Sequence, residues 1–325
     1  NLSAKENGYE VITTEENEIE TAILGNLPVA KIGEKEYYTF QEAFDACPSD
    51  GTETTVEVLR NCTTDMANII EENKNIVLDI QSYKIVSGIE NLFTNNGKFK
   101  IVDSIGNGRI ISAKGTILKN EETGNFAINN ITMQMTGSSA IDETIENKGM
   151  LEVTGGVIIS DGLKNKCINN IEQGTVKITG GTVSAYTYAI YNTSSNKVEI
   201  EGGTVQATYY YEGYSAIYNN TENGVVEIKG GLVTNQGKAI ENKKGTIKVT
   251  GGEIRTTQGD TRYSECGIYN NGKVIIEDGK VAALYRGSGI QNEGGTIEIT
   301  GGTVSAPEWY NSIINRGTLE ISGGT

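Results

Sequence analysis

Five charged residues late in this sequence come nearest to a reacting set: Asp260, Arg262, Glu265, Asp278 and Arg286. A lyase would need acidic calcium ligands with an Arg or Lys base on one strand face, and a hydrolase several carboxylates on neighbouring strands. Here two of the acids fall in one long loop and Asp278 in a turn, so the set reads as solvated and no catalytic residue is assigned. The chain has no histidine, which removes imidazole as a base or metal ligand. Cys47, Cys62, Cys167 and Cys266 show no CxxC spacing, so neither a zinc ribbon nor a redox dithiol is expected. Cys47 and Cys62 bracket one helix-to-strand unit and leave two readings open, a disulfide or buried free thiols. Cys167 takes a core position and reads as a small hydrophobe. The calcium-binding GGxGxD pattern is absent, and no metal or cofactor is expected.

The residues that stand out are aromatic. Tyr186, Tyr188, Tyr209, Tyr210, Tyr211, Tyr214, Tyr263, Tyr285, Trp309 and Tyr310 share one arc of the repeat described below, with Tyr191, Tyr218 and Tyr269 beside it. No phenylalanine follows Phe126. Tyrosine in place of phenylalanine puts a hydroxyl on an apolar ring, the chemistry of surfaces that bind sugars or proteins. Covering a sheet with cross-strand aromatic pairs is the competing explanation.

A formal charge of −15 and the lack of any Lys/Arg cluster argue against nucleic acid. With 37% apolar and 21% charged residues the chain is too apolar for disorder and too evenly mixed for membrane insertion. Forty-one glycines against three prolines, without collagen periodicity, indicate many short strands joined by tight turns.

Two markers set the architecture. Glycine pairs end at Gly156, Gly181, Gly203, Gly231, Gly252, Gly302 and Gly324, with Asp278-Gly279 filling the same slot. The asparagine of an A-I-x-N element falls at Asn147, Asn170, Asn192, Asn219, Asn242, Asn270, Asn292 and Asn315. Steps of 21 to 28 residues between like markers mean one turn of a solenoid per unit. Each unit carries strands A-I-x-N, [TV]-V-x-I and [TV]-V-x-A with inward sets such as Val198, Ile200, Val205 and Ala207, while Glu152, Lys177, Glu199, Glu227, Lys248, Ile275, Glu298 and Glu320 occupy one outward slot. Like residues recurring in like slots imply parallel stacking, with the asparagines facing inward as an amide ladder. The predicted fold is an all-β, right-handed, single-stranded parallel β-helix. The distance from Asn to the next glycine pair varies only from 9 to 12 residues, but that from the pair to the next Asn varies from 11 to 18, so insertions fall on the tyrosine-bearing edge.

Residues 1–28 read as a flexible acidic segment and 29–50 as a hairpin, Lys31–Tyr37, followed by a capping helix announced by Thr39 and Glu42 and stopped before Pro48. Residues 51–325 read as the β-helix, with degenerate opening turns over 54–136 and a natural chain expected to continue. The segments Ala30–Gly33, Tyr38–Ala43, Val56–Leu59 and Asn75–Ile80, with the later Gly-Gly-Thr-Val-Ser-Ala and Ala-Ile-Tyr-Asn units, resemble pectate-lyase-like β-helix domains in surface proteins of Gram-positive gut bacteria. That resemblance implies a secreted or cell-surface protein, with signal peptide and anchor outside this segment. The fold hosts lyases, hydrolases and adhesins alike. The expectation is a monomeric, non-catalytic adhesin binding a glycan or host protein through the tyrosine edge; the alternatives are a polysaccharide lyase or glycoside hydrolase, and an inert stalk.

Overall fold

The computed structural model describes residues 9–16, 19–137, 143–163, 165–209, 213–257 and 265–325. The strands of successive turns lie side by side in parallel register and build an all-β solenoid of about 11 turns with three faces. Met150–Val153, Thr175–Ile178 and Val198–Ile200 stack on the first face. Val157–Ser160, Thr182–Ala185 and Thr204–Ala207 stack on the second. Glu143–Asn147, Lys166–Asn170 and Tyr188–Asn192 stack on the third. The inward slots are buried along the stack, as at Val198, Ile200, Val205 and Ala207, so apolar residues stack on apolar residues along one continuous core, while Leu319 is partly buried and Ile321 exposed in the same slots of the last turn.

The outward slot of the first face is in register as expected, and lysines pair with its carboxylates. Glu199 and Glu227 are neighbours, and Lys197 and Lys229 each contact both. In the later turns Ser215–Ile228 and Lys273–Ala283 each run unbroken through one corner and Lys238–Thr256 through two, in place of three separate short strands per turn.

The corners explain the repeat's two markers. Between the first and second faces Gly203 has φ +73°, and a Cβ there would lie 2.6 Å from the Gly181 carbonyl oxygen of the turn below. That corner needs glycine both for its backbone conformation and for close approach. Between the third and first faces the asparagines bond in file. Each Nδ2 donates to the Oδ1 of the next turn, from Asn147 through Asn170, Asn192, Asn219, Asn242, Asn270 and Asn292 to Asn315, at 2.7–2.9 Å. The file begins earlier than its A-I-x-N signature, because Asn95 donates to Asn120 and Asn120 to Asn147. Asn315, on the last turn, is exposed; the other nine are buried.

At the N-terminal end, Ala30–Ile32 pairs antiparallel with Lys35–Tyr37 and with Glu53–Val58, covering a free edge of the first turn. The helix Phe40–Ala46 opens with the Thr39/Glu42 capping box and buries Phe40, Ala43 and Phe44. Its Gln41 carboxamide accepts from the Ile69 N–H at 2.6 Å and donates to the Ile69 carbonyl at 3.2 Å, replacing a missing strand neighbour. Lys74 donates to the Asp45 and Cys47 carbonyls at the helix end. Within residues 1–28, Tyr9–Glu16 and Ile19–Asn26 pair antiparallel. All four cysteines are free, so no Cys47–Cys62 disulfide forms. Among the described residues no helix is long and apolar enough to cross a membrane.

Candidate functional site

Strand alternation places residues i and i+3 on opposite sides. The third face breaks this rule. Ala189 and Ile190 are both fully buried, as are Ala216 and Ile217 or Ala239 and Ile240, so the chain bends between them and the flanking residues both look outward. Tyr188 and Tyr191 therefore touch, with ring centroids 5.3 Å apart. Lys238 reaches Glu241 across the same spacing, Nζ to Oε1 3.4 Å.

Two consecutive turns bring six tyrosines into one cluster on this face and the adjoining variable corner. Tyr186 packs on Tyr209 at 4.6 Å, Tyr209 on Tyr214 at 5.5 Å, and Tyr188 edge-on to Tyr214 at 5.3 Å. Tyr191 and Tyr218, neighbours in register, stack at 4.7 Å with planes 11° apart. Tyr188 is the hub, edge-on to Tyr218 as well at 5.6 Å, with its hydroxyl donating to the Gly213 carbonyl. Burial, then the Glu241 charge and the neighbouring rings, push the Tyr188 hydroxyl's pKa up, so it stays a neutral donor.

Charged pairs close both ends of the aromatic row. On one side Lys166 sits 4.5 Å above the Tyr191 ring and contacts Glu143. On the other, Glu241 is only 2% exposed and takes Lys243 at 2.8 Å and Lys238, whose ammonium lies 4.2 Å from the Tyr269 ring. Sequence reading missed Glu143, Lys166, Lys238, Glu241 and Lys243, because alternation hides which of them share an outer surface. Their one signal is position: each lies within four residues of a file asparagine.

The remaining aromatics divide. Tyr285 is exposed, Tyr310 less so, and Trp309 is 93% exposed at φ +77°. Tyr210, Tyr211 and Tyr263 lie outside the described residues, as do Asp260 and Arg262. Of the charged set, Asp278 is exposed at the glycine corner and accepts from the Gly279 N–H, whereas Glu265 is buried and Arg286 exposed at the variable corner. The described members thus sit at two different corners and do not converge. Among the described residues no three metal-ligating side chains come together. Burial pushes the Cys167 and Cys266 thiols up to about 12 and Cys62 up to about 11, which keeps them protonated and poor nucleophiles.

Chemically, the face offers hydroxyl edges and half-buried rings framed by ion pairs, an arrangement suited to holding a ligand. Compared with protein-family models, with curated proteins and with solved structures, the chain matches none.

Proposed function

We propose that this chain is a non-catalytic binding solenoid, secreted or held at a cell surface, whose tyrosine edge docks a glycan or a host protein. The supporting observation is the contiguous cluster of Tyr186, Tyr188, Tyr191, Tyr209, Tyr214 and Tyr218 at the corner where turn length varies. Core packing does not require aromatics there, and variable loops beside a rigid scaffold are where binding groups concentrate. The surface setting, and a Gram-positive bacterial origin, rest on the resemblance of the opening segments to pectate-lyase-like surface domains. The stalk reading has one observation in its favour: Tyr191 and Tyr218 cover each other's faces, leaving edges rather than flat platforms.

A glycan and protein array separates these readings. Wild-type protein is expected to give hits that vanish when Tyr186, Tyr209 and Tyr214 become serine with the circular dichroism spectrum unchanged. Hits that survive the substitutions overturn the tyrosine edge as the site, and an empty array favours the stalk. Calcium-dependent release of unsaturated sugars from polyuronate would instead establish a lyase.

A further inference from the structure

Beside the tyrosines, a partly exposed lysine amine meets a carboxamide and a carboxyl group that are almost closed off from water. Glu143 and Lys166 are neighbours in register on the third face, and Asn169 follows Lys166 across the bend that turns both side chains outward. A single oxygen, Glu143 Oε1, receives both Asn169 Nδ2 at 2.7 Å and Lys166 Nζ at 3.3 Å. Glu143 and Asn169 are each 6% exposed, and Asn169 Oδ1 is buried without a hydrogen-bond partner. A lysine at this position reaches the side-chain end of the residue three further on, as Lys238 does to Glu241. The Tyr191 ring walls in the Lys166 ammonium from the following turn.

We propose that the folded chain joins Lys166 to Asn169 through an isopeptide bond, with Glu143 carrying the proton. Glu143 takes the ammonium proton, and the freed Nζ attacks the Asn169 Cγ. The Nζ–Cγ bond forms and the Cγ–Nδ2 bond breaks. The Nζ hydrogen expelled in this collapse passes through the Glu143 carboxyl to Nδ2, which departs as ammonia. Ammonium and carboxamide become a secondary amide and an ammonium ion, so no oxidant, reductant or energy source is consumed. Burial, working against the Lys166 charge and aided by Glu146, raises the Glu143 pKa and suits it to hold a proton between donor and leaving group. The unpartnered Asn169 Oδ1 is where charge gathers during attack, and the protonated Glu143 is the nearby acid able to bond to it. Holding amine and amide on one oxygen supplies the proximity that an uncatalysed aminolysis lacks.

Intact mass under denaturing conditions tests this on the full chain. The wild-type protein is expected to weigh one ammonia less than its sequence, and fragmentation of a digest is expected to place the link between Lys166 and Asn169. Lys166→Arg keeps the cation but removes the nucleophile, and Glu143→Gln removes the proton carrier; both are expected at full sequence mass with unchanged circular dichroism. A wild-type mass equal to the sequence mass overturns the proposal. So does an ammonia loss that persists in Lys166→Arg or maps elsewhere, for example to a succinimide at Asn271-Gly272.

Discussion

The same corner, between the first and second faces, is built in two ways. In the opening turns it is made by side chains. Asp79 accepts from the Gln81 and Ser104 N–H groups, and Asp103 from those of Ser82, Ile105 and Gly108, while Gln81, Ser82, Asn107 and Asn130 take positive φ without being glycine. From Gly156 onward it is made by the absence of side chains, glycine stacked on glycine. The cores differ in parallel. Phe44, Phe93, Phe99 and Phe126 pack ring to ring inside the opening turns, whereas later turns hold Val, Ile and Ala inside and carry their aromatic rings outside. The end closed by a helix is filled with bulky rings and has corners that vary in sequence. A regular stack gains more from identical turns, each the template for the next.

The largest expected effect is in the aromatic half. Phe99→Ala should cost about 3–5 kcal/mol through the cavity it leaves. Hydrogen exchange should show protection falling over residues 54–128 while the turns beyond 170 hold. Uniform loss along the whole chain would erase the distinction between the halves. Next comes the glycine corner, where Gly203→Ala combines a positive φ with a clash against the Gly181 backbone and should cost about 3 kcal/mol in urea denaturation. Replacing Asn219 by leucine strands the Asn192 donor, the Asn242 acceptor and the Lys244 carbonyl, so a loss of about 2 kcal/mol is expected. Glu227→Ala, removing one member of a surface ion-pair group, should cost under about 1 kcal/mol. Equal melting temperatures for those last two variants would refute the file as a stabilising element.

The smallest effect is the most selective. Burial opposes ionisation of Asp103, but the backbone N–H groups around it outweigh burial and hold its pKa below the ordinary carboxylate value. A depressed folded-state pKa contributes stability above the unfolded value, about 3.9, and that contribution is lost as pH falls through the folded pKa. Acidification below about pH 4 should therefore weaken the opening turns more than the glycine-cornered ones. Asp103→Asn should flatten this acid slope, read as the urea midpoint against pH; an unchanged slope would show that the Asp corner does not sense pH.

Much of this was legible because a solenoid repeats its instructions. Spacing alone located the asparagine file and the glycine corners. It lost Asn95 and Asn120 because their elements read Leu-Phe-Thr-Asn and Ile-Leu-Lys-Asn, although the steps to Asn147 continue the period. The outer tyrosines at 191, 218 and 269 were readable from alternation. The contacts of Lys166 and Glu241 were not, because they depend on a bend between two buried residues that no period reports. The Asp corner was equally hidden, since an acid accepting backbone N–H groups looks in sequence like any solvated acid.

The asparagine file has one further property. Every link runs the same way, Nδ2 of one turn to Oδ1 of the next, and the second amide hydrogen is commonly fixed on a carbonyl of its own turn, as at Gly149, Gly174 and Gly245. The carboxamide dipoles therefore add head to tail as peptide dipoles do in a helix. Electrically the molecule has a head and a tail, negative toward Asn95 and positive toward Asn315, with no ionised group involved. A turn inserted anywhere must bring its own asparagine in that slot, or it divides one long dipole into two short ones.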